Sequence, residues 1–151
     1  MKTALSIIGI VFLVLLVLLG GVIGYAIYKG NKLDASSQAY ADESVSAIVA
    51  NWSKDELVKR ESPQFRNATS DDELTGLFDK LSELGPMQNY GGSTGAANVN
   101  FTPASGLQIT ASYVAKAIFQ NGKAEIKLNL IQVNGAWQIL GFHVDAPIFV
   151  K

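Results

Sequence analysis

The N-terminal segment of the chain constrains its architecture more than any other feature. Ala4 to Tyr28 is a run of 25 residues without one charged side chain. The hydrocarbon core of a bilayer needs roughly 20 apolar residues in helical conformation, so this segment is long enough to cross it. The segment therefore predicts a transmembrane helix, with the membrane as the first partner of the chain.

Two interpretations of this segment are open. A cleaved secretory signal has an apolar core of roughly 7–15 residues, and the core from Ile7 to Ile23 is longer. Its length favours a retained anchor, whereas Gly24-Tyr25-Ala26 offers a cleavage pattern for a removed signal. A retained first segment predicts a single-pass protein of the inner (plasma) membrane, with its C-terminal domain periplasmic or extracellular.

The charge of the remaining chain bounds its partners. We divide the sequence into an anchor with its linker, residues 1–32, and an extracytoplasmic domain, residues 33–151. The domain carries 13 acidic and nine basic residues, a net charge of −4. Nucleic-acid binding needs clustered lysine and arginine, so this balance argues against a nucleic-acid partner.

Metal and cofactor chemistry finds few suitable residues in this sequence. The chain has no cysteine and one histidine, so no cluster of these ligands is possible. The carboxylates Asp71, Asp72 and Glu73 are typical of the first turn of a helix, where the helix dipole favours negative charge. We therefore predict no metal site and no cofactor.

Three helices are predicted after the anchor. Ala35 to Asn51 has the pattern of an amphipathic helix. Ser53-Lys54-Asp55-Glu56 and Ser70-Asp71-Asp72-Glu73 match the capping box that begins a helix. Ser62-Pro63 predicts the end of the second helix, and Gly85-Pro86 the end of the third. The third helix carries an apolar stripe that we expect to pack on a sheet: Leu74, Leu77, Phe78, Leu81 and Leu84.

The pattern changes to that of strands after residue 87. Leu107 to Phe119 alternates apolar and polar residues, as a half-buried strand does. Asn121-Gly122 and Asn134-Gly135 are two-residue hairpin signals, so three strands form an antiparallel meander. A short edge strand within Met87 to Phe101 makes a fourth. If Asn121-Gly122 is the loop, Phe119 lies opposite Ala124.

The last strand has two possible arrangements. We expect Leu130 to lie opposite Ile139 in the second hairpin. Continued without interruption, this register buries His143 and Asp145. A β-bulge at Gly141 would reverse the two faces beyond it and expose both side chains.

Helices followed by a curved antiparallel sheet of about four strands make an α+β fold. This element order resembles the nuclear-transport-factor-2-like, or cystatin-like, α+β cone of membrane-anchored bacterial envelope domains. Its closing strand and Leu-Gly-Pro turn are also similar to the cytochrome oxidase assembly factor 1 family, and its outline to the inner-membrane scaffold component of type IV secretion machines. The resemblance is carried by Glu61-Ser62-Pro63-Gln64-Phe65-Arg66, Leu81-Ser82-Glu83-Leu84-Gly85-Pro86, Ala111-Ser112-Tyr113-Val114-Ala115-Lys116-Ala117-Ile118-Phe119 and Gly135-Ala136-Trp137-Gln138-Ile139-Leu140-Gly141-Phe142.

The resemblance implies a sheet wrapped around a pocket, which some cone domains use for catalysis or small ligands and others use for partner binding. The alternative function is therefore a small-ligand-binding or weakly catalytic pocket lined by Tyr113, His143 and Asp145, in which the carboxylate orients the imidazole as a general base. These residues match no catalytic motif, so we predict no catalytic residue.

The function that we predict is a non-enzymatic interaction domain, acting by protein binding or as a homodimer in an envelope or membrane complex. Gly20 and Gly24 have the small-xxx-small spacing that lets two membrane helices approach. Near the C-terminus we expect an exposed apolar edge, made of Phe142, Val144, Ile148 and Phe149.

Overall fold

The computed structural model describes residues 2–149, and these form the predicted α+β fold. The four strands make one antiparallel sheet in the order β1-β2-β3-β4. Single 3-10 turns follow α4, at Ser82–Leu84, and β4, at Pro147–Phe149. The elements are α1 (Lys2–Val49), α2 (Lys54–Val58), α3 (Pro63–Ala68), α4 (Asp71–Leu81), β1 (Met87–Thr102), β2 (Gly106–Phe119), β3 (Gly122–Val133) and β4 (Ala136–Asp145).

The residues group into two compact units, Met1–Leu33 and Asp34–Lys151. The N-terminal helix is long and apolar enough to cross a membrane. Its large apolar side chains between Ile10 and Ile23 are exposed. Apolar surface in water is unfavourable by about 25 cal/mol per Å², so this helix surface favours an apolar environment. Within the predicted segment Ala4 to Tyr28, the side chains before Ile10 lie outside the described residues.

Both predicted capping sequences begin helices, but only the second forms the complete box, because the Ser53 N–H donates to the Ile48 carbonyl and not to Glu56. The Ser53 hydroxyl accepts a hydrogen bond from the backbone N–H of Glu56. Ser70 and Glu73 satisfy each other's backbone N–H groups and complete the box at the start of α4. The turn after α4 ends at Gly85, whose φ of 77° lies in the left-handed region that glycine adopts without strain.

The predicted helix end at Ser62-Pro63 is wrong, because these residues begin α3. The Ser62 hydroxyl accepts the backbone N–H of Phe65, and Pro63 lies in the first turn. Proline is favoured there because a first-turn residue needs no intrahelical N–H bond. The same two residues therefore separate α2 from α3 by starting a helix, and α2 already ends at Val58.

The predicted register of the β2–β3 hairpin is wrong by two residues. Phe119 lies opposite Gly122 instead of Ala124. The loop is Gln120-Asn121, whose backbone N–H groups donate to carbonyls at residues 86 and 84, just after α4. These bonds to the segment after α4 favour Gln120-Asn121 as the loop over the predicted Asn121-Gly122. A shift of two residues keeps every side chain on its predicted face.

The β-bulge in the last strand is confirmed. The register between β3 and β4 shifts by one residue between Ile139 and Gly141. Beyond the shift His143 and Asp145 are exposed, and the residues that alternate with them are half-buried. The uninterrupted arrangement, which buries both polar side chains, is thereby excluded.

One face of the sheet is filled by side chains from residues 34–49 of α1 and from α4. The α1 residues that enter this core are small up to Ser44, whereas Val45, Ile48 and Val49 in the last turns are larger and fully buried. α4 contributes Leu74, Phe78 and Leu81. Leu77, predicted in the same stripe, is 36% exposed. The sheet side of the core consists of Ala111, Tyr113, Ala115, Ala117, Phe119, Ala124, Ile126, Leu128, Leu130 and Ile139.

Candidate functional site

Tyr113, the first of the three predicted pocket residues, lies inside the core. Its side chain is 2% exposed. Its hydroxyl lies 2.7 Å from the hydroxyl of Ser37 and 3.1 Å from the backbone carbonyl of Asp34, both in α1. A buried phenol needs such partners, because an unpaired hydroxyl in an apolar interior is costly. Tyr113 therefore joins the sheet to the helix above it.

His143 and Asp145 lie together, on the opposite face of the sheet from Tyr113. His143 Nε2 is 2.8 Å from Asp145 Oδ1, and Lys127 Nζ is 2.8 Å from Asp145 Oδ2. Hydrogen bonding to Lys127, and then to His143, lowers the pKa of the Asp145 carboxyl, and Asp145 raises the pKa of Lys127. The structure thus brings two of the three predicted residues together and gives their carboxylate a lysine partner.

An open concavity of about 1070 Å³ lies at the end of the sheet where the β2–β3 turn and the C-terminal segment meet. Neither Tyr113 nor His143 lines it. Charged side chains at this surface include an ion pair between Lys116 and Glu125, whose Nζ and Oε1 atoms are 3.8 Å apart. We name it the sheet groove and define it by Lys116, Ile118, Glu125, Val144, Asp145 and Phe149.

The predicted C-terminal apolar edge is divided by the structure. Phe142 is half-buried and stacks on Phe78 of α4, with ring centroids 6.1 Å apart, so it belongs to the domain's own packing. Val144 and Phe149 line the sheet groove, and Ile148 is 41% exposed beside it. Of the four residues only Ile148 is exposed, and Val144 and Phe149 are half-buried beside it.

The two glycines predicted at a helix interface belong to the first unit. For both Gly20 and Gly24, no described atom outside the backbone of the helix itself lies within 4 Å of the position of an added Cβ. A close helix partner would fit against this stripe sterically.

Three polar side chains of α1 bond to the edge strand β1, a feature that the sequence analysis did not predict. We name Asp34, Gln38 and Asp42 the polar ladder. Asp34, Gln38 and Asp42 are spaced by four residues and so share one face of α1. Asp34 Oδ1 accepts the backbone N–H of Ala97 at 2.8 Å. Gln38 Nε2 donates to the backbone carbonyl of Ser93 at 2.9 Å. Two backbone groups of β1 that β2 does not use are thereby covered, which protects this part of the strand from pairing with another chain.

The last rung of the ladder is the best-connected one. Asp42 Oδ1 accepts the hydroxyl of Tyr90 at 2.6 Å and the hydroxyl of Ser93 at 2.7 Å. Burial raises the pKa of Tyr90 well above its ordinary value, and the Asp42 carboxylate raises it further. Polar residues at a spacing of four look like a solvated helix face in sequence. Only their hydrogen bonds to β1 distinguish them from such a solvated face.

No protein-family model, curated protein or solved structure shows significant similarity to this chain. The resemblance to the cystatin-like cone stays a prediction, and the α+β fold stands on the structure itself.

Proposed function

We propose that this chain is a single-pass, membrane-anchored, non-enzymatic interaction domain that binds a protein partner through the sheet groove. The anchor holds it in the inner (plasma) membrane with the domain on the extracytoplasmic side, as part of an envelope or membrane complex. The helix that is long and apolar enough to cross a membrane supports the anchor. The observation that carries the function is the contrast between a filled interior and an open outer surface.

The filled interior argues against a ligand pocket under the helices. A small-molecule site needs an enclosed space with a few convergent polar groups. At the centre of the covered face, Tyr113, Ile126 and Leu128 are each at most 2% exposed. The Tyr113 hydroxyl, which would have to contact a ligand, is already bonded to α1. These contacts favour the interaction domain over the small-ligand alternative.

The sheet groove has the composition of a protein-binding surface. Its apolar centre includes Ile118, which is 50% exposed, and Phe149. Charges of both signs surround this centre, among them Lys116 and Asp145. Protein interfaces combine an apolar anchor at the centre with a polar rim. Because the concavity is open, it fits a segment of another protein.

Anchoring would supply the mechanism of such an interaction. A domain confined to the membrane meets other membrane components at a high effective concentration, so a modest affinity suffices. The helical part of the domain supplies its negative charge, because 11 of the 13 acidic residues precede residue 84. The sheet part after that point has four basic residues and two acidic ones, and so suits a partner segment with acidic residues.

Photo-cross-linking of the full chain in its own membrane tests this proposal. A benzophenone side chain replaces Ile118 in one variant and Val114 in a control. Val114 lies on the same strand and the same sheet face, is 36% exposed and does not line the groove. We expect a discrete cross-linked product from position 118 that position 114 does not give. A product of twice the chain mass identifies a second copy as the partner. Equal products from both positions, or none from position 118, contradict the proposal.

A further inference from the structure

The hairpin formed by β1 and β2 has an unusual composition. No charged residue occurs between Glu83 and Lys116, a stretch of 32 residues that contains all of β1 and most of β2. Edge strands are commonly protected by charged side chains, and β1 is an edge strand of 16 residues. The ladder from α1 covers it only as far as Ala97.

Three apolar side chains share one face at the free end of this hairpin. Phe101 lies opposite Leu107, and Val99 is two residues before Phe101 on the same strand. These side chains are 72%, 65% and 55% exposed for Phe101, Leu107 and Val99 respectively. We name Val99, Phe101 and Leu107 the hairpin tip. It is a cluster of large apolar side chains in a segment without charge.

The hairpin tip lies at the end of the domain where α1 enters it. Along the ladder, Asp42 bonds to Ser93 and Asp34 bonds to Ala97, so β1 runs antiparallel to α1. Phe101 is four residues beyond Ala97, which places it about 13 Å further along the strand at ~3.3 Å per residue. The tip therefore extends past Asp34, the first residue of the domain.

The chain that connects the domain to the apolar segment is short. Only five residues, 29–33, separate Tyr28 from Asp34. Even fully extended, this connection spans no more than ~21 Å, at about 3.5 Å per residue step. A bilayer boundary near Tyr28 is thus within ~21 Å of Asp34 for any conformation of the connection. The tip, which extends about 13 Å from the same end, is within reach of that boundary.

We propose that the hairpin tip docks on the surface of the bilayer that holds the anchor, with Phe101 at the boundary between headgroups and acyl chains. This inference uses the anchor of the proposed function and is independent of the sheet groove. Aromatic and apolar side chains favour this boundary. Because residues 84–115 carry no charge, docking of the tip depends on insertion of apolar surface, so zwitterionic lipid suffices and salt has little effect.

Docking would give the domain a second attachment to the membrane, besides residues 29–33, which join it to the apolar segment. The tip lies at the start of β2, where β1 ends. The β2–β3 turn, beside the sheet groove, lies at the opposite end of β2. With the tip on the lipid, the groove end of the domain points away from the membrane, toward a partner.

Spin labels on single cysteines test the docking, since the natural chain has no cysteine. The full chain is reconstituted in phosphatidylcholine vesicles with a nitroxide at Phe101→Cys, at Asn100→Cys or at Lys123→Cys. Asn100 is the adjacent exposed residue on the other face of the tip, and Lys123 lies at the opposite end of β2 and β3. Collision with oxygen and with a water-soluble nickel chelate measures the depth of each label.

We expect at least a fivefold lower ratio of chelate to oxygen collisions at position 101 than at position 123, with position 100 between them. Equal ratios at positions 101 and 123 overturn the docking. Loss of both collision types at position 101, with dipolar broadening between labels, shows a second copy on the tip and also overturns it. Flotation of the vesicles is measured first: a chain that does not float with lipid overturns the anchor and the docking together, whereas a floating chain with an aqueous position 101 overturns the docking alone.

A charge substitution sharpens the same test. With the label at Leu107→Cys, Phe101→Asp should raise the chelate collision rate toward the value at position 123, because a buried carboxylate is costly at the lipid boundary. Asn100→Asp is the matched control and should leave the rate within twofold of the parent. Both substituted side chains are exposed, so neither change removes packing from the core. Equal responses to the two substitutions contradict insertion of the Phe101 face.

Discussion

Two helical segments, residues 34–42 of α1 and the whole of α4, bury a face against the same domain by different chemistry. α4 uses large apolar side chains, of which Phe78 and Leu81 are 5% and 2% exposed. Residues 34–42 of α1 bury two small residues, Ser37 and Ala41, and form hydrogen bonds to the sheet. Apolar packing is not directional, whereas hydrogen bonds between named atoms define one register. α4 thus contributes burial, and residues 34–42 of α1 contribute the position of β1.

The largest expected effect in this comparison comes from α4. Phe78→Ala removes a buried ring that stacks on Phe142 and should lower the free energy of unfolding by about 3–5 kcal/mol. Leu77→Ala, one residue earlier and 36% exposed, should cost less than about 1 kcal/mol. Urea unfolding of the full chain in micelles, followed by the fluorescence of Trp52 and Trp137, measures both. Similar losses for the two variants would show that α4 does not pack as described.

The polar ladder of α1 should give a smaller but specific effect. Asp42→Ala removes the acceptor of two hydroxyl groups, and we expect a loss of about 1–3 kcal/mol in the same unfolding measurement. Asp42→Asn keeps one acceptor oxygen and should lose less. Glu43→Ala is the matched control, because Glu43 is the exposed neighbour of Asp42 on the helix. If Asp42→Ala and Glu43→Ala are equally mild, the ladder does not hold β1.

The smallest effect at neutral pH, and the most distinctive one, concerns alkaline conditions. Burial and the Asp42 carboxylate raise the pKa of Tyr90 in the folded state, so the neutral phenol stabilises the fold. This contribution is complete below the ordinary tyrosine pKa of ~10 and is lost as the pH rises through the higher folded value. Tyr90→Phe should therefore unfold with a weaker dependence on pH above ~10 than the natural chain. Identical slopes of unfolding midpoint against alkaline pH would contradict the Tyr90–Asp42 contact.

Local periodicity predicted those parts of the fold that depend on local interactions. The α+β class, the four-stranded sheet and the N-caps at Ser53 and Ser70 follow from repeats of two or three to four residues and from cap spacing. The bulge before His143 was also predictable, because only it keeps two polar side chains out of the core. In each case, one segment contains all the information required.

Features that depend on distant segments were not predictable in this way. The loop at Gln120-Asn121 is selected by carbonyls that follow α4. The start of α3 was missed for a different reason, because its signal is local: a serine N-cap followed by a first-turn proline favours a helix start. The ladder of Asp34, Gln38 and Asp42 has no apolar pattern and becomes visible only with β1 beside it. For the site, alternation placed His143 and Asp145 on one face, but the contact of Tyr113 with Ser37 required the position of α1.

The central claim, that the sheet groove binds a protein partner, is tested most directly by the size of the membrane-extracted particle. The full chain is taken from its own membrane into polymer-bounded lipid discs, and the protein mass per disc is measured for the natural chain, Ile118→Asp and Val114→Asp. Both replaced side chains are partly exposed on the outer face of β2. The account predicts a mass above that of one chain for the natural protein and for Val114→Asp, and the mass of one chain for Ile118→Asp. A single-chain mass for the natural protein, or a complex that Ile118→Asp leaves intact, would contradict it.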